Sequence, residues 1–215
     1  MYPFLSLLAL KTFDASFELH RCQRGKRRDK LLCMKVLLAT PLYPPEIGGA
    51  APYVKELAQR LRRRHEVTIV AYTHLPEKVP GVRIIAIDKR PPLPVRLLRY
   101  TTALLRAAGD ADILYAQNGA SVELPAGSAA LVRRAPLIMH MSDEAAHRRA
   151  AENPLLRRIE RFAFKRAVQV IADTPLARPE ILPLEELPKE ELAAYEASWE
   201  NHINALEKIF QHAKK

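Results

Sequence analysis

From Met34 onward, short apolar segments alternate with amphipathic ones, and this alternation restricts the fold more than any other feature of the chain. Apolar runs such as KVLLAT and VTIVAY suit strands that are buried on both faces of a sheet. The segments between them carry apolar residues at three- and four-residue steps, as in helices that pack on such a sheet. This order predicts an α/β fold, namely a Rossmann-like, doubly wound parallel sheet with right-handed crossovers.

The sequence predicts where the strands and helices lie. The predicted strands are Met34–Thr40, Glu66–Tyr72, Val82–Asp88, Asp112–Gln117, Pro136–His140 and Val168–Ala172. The predicted helices are Tyr53–Arg64, Pro94–Ala108, Val122–Arg133 and Asn153–Arg166. In the last of these, Asn153 is a good N-cap and Pro154 suits the first helical position.

Composition divides the chain into segments. Residues 1–33 contain the basic cluster HRCQRGKRRDK and differ from the rest of the chain, so we expect a basic, disordered extension or the product of an upstream start codon. A functional arm that binds nucleic acid or lipid headgroups is the alternative. Residues 34–178 form the predicted domain, and 179–190 form a Pro-rich junction.

Residues 191–215 form a predicted C-terminal helix. Its apolar side chains recur at helical spacing, and the largest of them is Trp199. Because an exposed stripe of this size is rare on a soluble monomer, we expect Leu192–Phe210 to pack on the domain. Pairing of the stripe with a second copy of the chain is the competing interpretation.

Charge and cysteine content limit the partners and the compartment. The formal net charge of +10 favours an anionic partner, although a merely solvated basic surface explains it equally well. Cys22 and Cys33 have neither a metal-ligand spacing nor a disulfide framework, which favours a cytoplasmic protein. No apolar stretch is long enough to predict a membrane-spanning helix.

The loop PLYPPEIGGAAPYVKEL joins the first predicted strand to the first helix. In a doubly wound sheet, ligands bind beyond the carboxyl ends of the strands, which is where this loop lies. Gly48 and Gly49 allow the backbone to approach a ligand, or they only shape a tight turn. The loop has no G-x-G-x-x-G and no P-loop lysine, which argues against a dinucleotide oxidoreductase or an NTPase.

The stretch MKVLLATPLYPPEIGGAAPYVKELAQRLRRRHEVTIV resembles the opening of the family 4 glycosyltransferases. The resemblance continues through DADILYAQNGASVELPAGSAALVRRAPLIMHMSDEAA and NPLLRRIERFAFKRAVQVIADTPLAR, and so covers about Met34–Arg178. It implies a GT-B fold, in which two Rossmann-like domains face each other across a cleft. The N-terminal domain of this fold mainly holds the acceptor, and the C-terminal domain mainly holds the nucleotide-sugar.

The resemblance also implies positions near the substrates. Gly48 and Gly49 would lie near the donor diphosphate or the acceptor, and Asn118 and Gly119 would line the cleft after the fourth strand.

His140 and Asp143 are the catalytic candidates that the resemblance implies after the fifth strand. A structural histidine is an equally good interpretation of His140, and Asp143 also suits the N-cap of a helix that begins near Glu144. His140, Asp143 and His147 lack a recognised ligand spacing, so no metal site is predicted.

Basic residues line one face of the helix before the last strand, at Arg157, Arg158, Arg161 and Lys165. A solvated surface is the simpler interpretation. Attraction to anionic lipid headgroups is the alternative, because enzymes of the resembled family often use lipid-linked acceptors.

The donor-binding half of the resembled family has no counterpart that we identify in this sequence. After the junction, YEASWENHINALEKIFQHA resembles instead the closing segment of the same family. This implies a domain that is inactive alone or that works with a separate donor-binding subunit, with a UDP- or GDP-sugar bound by the complete enzyme. The alternative is a non-catalytic module for an anionic membrane or another polyanion, peripheral to the inner face of the membrane; nucleic acid is the less favoured partner.

Overall fold

The computed structural model describes residues 33–172, 179–182 and 188–214. Of the predicted extension only Cys33, which is exposed, falls within this part of the chain. The end of the predicted domain at 173–178 and much of the predicted junction lie outside the described residues.

Strands and helices follow the order that the sequence predicts, with β3 directly after β2 and two consecutive helices before the last strand. The strands are β1 (Lys35–Thr40), β2 (Glu66–Tyr72), β3 (Val82–Ile87), β4 (Ile113–Gln117), β5 (Leu137–Met141) and β6 (Ala167–Ala172). The helices are α1 (Ala50–Leu61), α2 (Leu93–Ala107), α3 (Ala120–Arg133), α4 (Glu144–Glu152), α5 (Pro154–Arg166) and α6 (Lys189–Ala213). α1 begins earlier than the sequence predicts, because Gly49 serves as its N-cap.

All pairs of neighbouring strands are parallel, and the order across the 6-stranded sheet is β3-β2-β1-β4-β5-β6. This is the strand order of a Rossmann-like domain, so the predicted fold class is confirmed. The order reverses between β1 and β4, and the loops after these strands diverge there. Such a switch point at the carboxyl edge is where doubly wound sheets bind ligands.

Each face of the sheet carries its own apolar core. One core packs side chains of α1 and α6 against alternate residues of the strands, such as Leu38 and Ile138. The other packs α2, α3 and α5 against the intervening residues, such as Leu37 and Met139. Neighbouring strand residues therefore point into different cores, which explains why the central strands β1 and β4 are largely apolar and buried along their length.

Helix α6 packs on the domain, as the sequence predicts for Leu192–Phe210. Its large buried apolar side chains are Tyr195, Trp199, Ile203, Leu206 and Phe210. The Trp199 ring is 0% exposed and stacks on Tyr53 of α1 at a centroid distance of 5.9 Å. Burial of large aromatic side chains is among the strongest packing contributions a helix can make.

Ion pairs fasten the same helix at its edges. Arg60 of α1 binds Glu196 at 2.8 Å, and Arg64 binds Glu207 at 2.9 Å. Glu207 also lies 3.0 Å from the ring of the buried His65. α6 therefore belongs to the domain through both apolar and charged contacts.

Within the part of the chain that the structure describes, no helix combines the length and the apolar character needed to cross a bilayer.

Candidate functional site

A cleft of about 190 Å³ lies at the carboxyl edge of the sheet, beside the switch point. Pro41, just after β1, forms one wall, and Asn118 and Gly119, just after β4, form another. Asp143 at the start of α4 and Leu156 of α5 complete it. The turns after β1, β4 and β5 thus meet where the sheet topology places a ligand.

Asn118 holds two of these turns together. Its Oδ1 accepts hydrogen bonds from the backbone N–H groups of Ser142 at 2.9 Å and Asp143 at 2.8 Å. Its Nδ2 donates to the carbonyl oxygen of Asp143 at 2.7 Å. Because the amide is buried and its bonds span the turns after β4 and β5, Asn118 fixes the shape of the cleft wall.

Gly119 occupies a backbone conformation that other residues rarely adopt, with φ of 123°. It precedes α3, and its N–H donates to Oε1 of Glu123 at 3.0 Å. A side chain at this position would strain the turn, even though no atom would lie within 4 Å of the added carbon.

Gly48 and Gly49 lie outside the lining of this cleft, in the loop that leads into α1. Gly48 has φ of 152°, and an added Cβ would lie 2.5 Å from Cδ1 of Leu42. Gly49 is the N-cap of α1, whose first turn holds no acidic residue and receives no side-chain cap. The start of α1 nevertheless offers few N–H groups to a ligand, because the N–H of Ala51 donates to the carbonyl oxygen of Gly48 at 3.0 Å and Pro52 has none.

His140 is fully buried and does not line the cleft. Its Nδ1 lies 2.6 Å from the hydroxyl of Tyr115, which lies 3.2 Å from the hydroxyl of Tyr53. The Tyr53 hydroxyl in turn lies 2.9 Å from Nε2 of His202 on α6. This series of buried polar groups extends from β5 to α6. Such contacts favour a structural rather than a catalytic interpretation of His140.

Asp143 lines the cleft and also caps α4. Its Oδ1 accepts from the backbone N–H of Ala146 at 3.0 Å, the cap that the sequence offers as an alternative to catalysis. Its Oδ2 lies 3.5 Å from Nη2 of Arg149, a side chain at the rim of the cleft. The Asp143 carboxylate thus contacts both the first turn of α4 and the Arg149 guanidinium at the rim of the cleft.

Glu123 also lines the cleft, and the sequence analysis missed it. Burial is the main cause that raises the pKa of its carboxyl; the hydrogen bond from Gly119 opposes the rise, and the charge of Glu160 adds to it. Glu160 itself lies 2.7 Å from Nδ1 of His147. An acidic residue in the first turn of a helix is common because it suits the helix dipole, so the sequence carries no special signal here.

The four basic residues singled out on α5 do not line the cleft. Arg157, Arg158, Arg161 and Lys165 are all exposed, and none forms an ion pair with another described residue. Arg157 donates a hydrogen bond to the carbonyl oxygen of Ala151. Leu156, their neighbour on the helix, contributes to the cleft wall. The described residues contain no cluster of acidic, His and Cys side chains able to hold a metal ion.

Three solved structures illustrate what the chain resembles. HepE from Anabaena, in complex with UDP and glucose, is 20% identical, with a TM-score of 0.49 over 65% of this chain and 38% of that one. A putative UDP-N-acetylglucosamine 2-epimerase from Listeria monocytogenes is 15% identical, with a TM-score of 0.47 over 65% and 39%. An alpha-glucosyltransferase in complex with UDP and a 13-mer DNA is 13% identical, with a TM-score of 0.42 over 66% and 38%.

The chain therefore spans well under half the length of these structures. No curated protein sequence matches it. Residues 48–193 match the family model described as a glycosyl transferase 4-like domain, in agreement with the sequence resemblance. Since this match extends from the loop before α1 into α6 and covers most of the chain, the protein belongs to the glycosyl transferase 4-like domain family.

Proposed function

We propose that this chain is the acceptor-side domain of a nucleotide-sugar-dependent glycosyltransferase. The observation that carries the proposal is the cleft at the switch point between β1 and β4, in a chain of the glycosyl transferase 4-like family. Its volume of about 190 Å³ is below the roughly 300–1,000 Å³ of pockets that enclose drug-sized ligands. A cleft of this size suits one small group, such as a sugar ring, better than a whole nucleotide-sugar.

Sugar transfer requires more than an acceptor site. The anomeric carbon must be held against the acceptor hydroxyl, and the departing diphosphate needs groups that stabilise its charge. In our proposal the loop at Gly48 and Gly49, which leads into the N-terminus of α1, faces the donor diphosphate. A separate donor-binding subunit provides the remaining contacts, and the chain alone is inactive.

Titration calorimetry with UDP- and GDP-sugars tests this division of roles. The purified chain should bind these donors more weakly than micromolar and transfer no sugar. Transfer should appear when the chain is mixed with a donor-binding subunit, for which the neighbouring reading frame is the first place to look. Micromolar donor binding, or transfer by the chain alone, would contradict the proposal.

The exposed basic face of α5 supports a second candidate function. Its cations, which form no ion pair within the described residues, suit an anionic membrane surface, where a lipid-linked acceptor would be found. In this alternative the domain is peripheral to the inner face of the membrane, in the cytoplasm. Cosedimentation with phosphatidylserine vesicles tests it, and equal binding to neutral vesicles would argue against it.

A further inference from the structure

Glu123 is a buried carboxylate that nevertheless borders open space. Glu123 is only 3% exposed, yet it lines the cleft together with Gly119 and Arg149. A carboxylate in such a position is poorly hydrated, so it gains more than a surface carboxylate from a hydrogen bond that a ligand donates.

One oxygen of this carboxylate is already used. Oε1 accepts the N–H of Gly119 at 3.0 Å, and no hydrogen bond from another described residue reaches the second oxygen. The Glu160 carboxylate does not line the cleft and is paired with His147 at 2.7 Å, so it does not compete for the same donor. Glu123 therefore offers an acceptor to whatever enters the cleft.

The same arrangement disfavours an anion at this point. The N–H of Gly119, at the start of α3, is donated to Glu123 itself and is therefore not available to a phosphate. The Glu123 carboxylate would also repel a phosphate, and like charges placed together are an effective way to reject a ligand. Among the described residues that line the cleft, Arg149 is the one cation, and its side chain is 63% exposed, so water screens it.

We propose that Glu123 selects a neutral, hydroxyl-bearing group for this cleft by accepting a hydrogen bond from a hydroxyl of the acceptor sugar. This inference rests on the proposed acceptor-side function and sharpens it. The turn around Asn118 and Gly119 binds the acceptor, and the donor diphosphate is left to the loop at Gly48 and Gly49. Glu123 is thus a residue that determines specificity by direct contact.

Amide NMR of the ¹⁵N-labelled chain, with two simple probes, tests the inference. Methyl α-glucoside should shift the amide signals of Gly119, Glu123 and Arg149 in a saturable way. Inorganic pyrophosphate should leave these signals in place. If the glucoside shifts none of them, or if pyrophosphate shifts them instead, the inference is wrong.

A matched pair of variants identifies the residue responsible. In Glu123→Gln the amide oxygen still accepts from Gly119, but an NH₂ group replaces the free acceptor at nearly the same size. Binding of the glucoside should weaken about tenfold or more, as expected for the loss of a hydrogen bond to a charged group. Glu191→Gln makes the same chemical change on the exposed surface of α6 and should bind as the unaltered chain does.

The outcomes separate this inference from the proposed function. If Glu123→Gln binds the glucoside as well as the unaltered chain, the role of Glu123 is wrong, while acceptor binding in the cleft stands. If Glu123→Gln fails to fold, the absence of glucoside-induced shifts, or the presence of pyrophosphate-induced shifts, on the unaltered chain would still contradict the inference. The dependence of sugar transfer on a donor-binding subunit is measured separately, so its failure would not be confused with either result.

Discussion

Helices α5 and α6 look alike in sequence but differ in what covers their apolar sides. In α6 the apolar residues at helical spacing from Tyr195 to Phe210, with Trp199 among them, lie in the core. In α5 the equivalent stripe is only partly covered: Ala163 is buried, whereas Leu155 is 65% exposed. An amphipathic pattern therefore shows that a helix has an apolar face but not how completely the fold covers that face.

The charged residues of the two helices also differ in whether they have partners within the domain. Acidic residues of α6 pair with arginines of α1 and of the turn after it, as Glu196 does with Arg60 and Glu207 with Arg64. The basic residues Arg158, Arg161 and Lys165 of α5 have no ion-pair partner among the described residues. We infer that α6 serves stability, whereas the outer face of α5 is left for contact with a partner.

Replacing Trp199 with Ala should have the largest effect on stability. The indole is fully buried against Tyr53, so its loss should lower the free energy of unfolding by about 3–5 kcal/mol. The matched change on α5, Leu155→Ala, should cost no more than about 0.5 kcal/mol, because its side chain is already largely exposed. Urea unfolding of both variants measures the difference.

The Trp199→Ala variant also tests whether the apolar stripe of α6 packs within one chain. If the helix instead joined two copies, the melting temperature of the unaltered protein would rise with its concentration. Trp199→Ala would then convert a dimer to a monomer in sedimentation. Either result would contradict the packing of α6 on its own domain.

Glu207→Ala should cause the next largest loss of stability. The carboxylate is buried, and it accepts from both Arg64 at 2.9 Å and the ring of His65 at 3.0 Å. Removing it leaves the buried His65 without this partner and should cost about 1–3 kcal/mol. Glu200→Ala removes a more exposed carboxylate that also pairs with Arg64, and should cost at most about 1 kcal/mol. If thermal unfolding showed the same loss of stability for Glu207→Ala and Glu200→Ala, burial of Glu207 would be unimportant.

The sequence alone could predict the features of these helices that depend on neighbouring residues. The Asn153 cap, the Pro154 start and the spacing around Trp199 are local, and the structure has each of them. Asp143 as the cap of α4 is local too. The parallel, doubly wound class of the sheet is also predictable, because strand–helix alternation permits few topologies.

The parts that could not be predicted depend on residues far apart in the chain. The polar chain from His140 through Tyr115 and Tyr53 joins β5 to α6, and no single segment reveals it. Glu123 looks like an ordinary first-turn acid until α4 and α5 enclose it in the cleft. Long-range burial, rather than local pattern, decides which polar residues become special.

A smaller loss of stability is expected from Asn153→Ala at the start of α5. The Asn153 side chain accepts from the N–H groups of Leu155 at 2.9 Å and Leu156 at 3.3 Å. Losing this cap should cost about 1 kcal/mol, and Asn153→Asp should restore most of it, since aspartate caps nearly as well. Thermal unfolding that fails to separate the two variants would show that the cap does not limit the stability of α5.

The smallest effect on stability should come from changing Arg158, Arg161 and Lys165 together to Gln. These side chains are exposed and form no ion pair within the described residues. The free energy of unfolding should therefore change by no more than about 0.5 kcal/mol. Binding to phosphatidylserine vesicles should nevertheless weaken strongly. Each basic residue near an anionic membrane contributes about 1 kcal/mol, so the loss of three corresponds to roughly a hundredfold.

A second triple variant separates the face of α5 from the total charge of the protein. Changing Arg63, Arg99 and Arg106 to Gln removes the same charge from exposed positions elsewhere in the fold. If the outer face of α5 is the contact surface, this control should bind the vesicles almost as well as the unaltered chain. If the two triple variants lose binding equally, net charge rather than α5 explains the attraction. The contrast between a helix used for stability and a helix left for a partner would then be wrong for α5, even though α6 would remain as described.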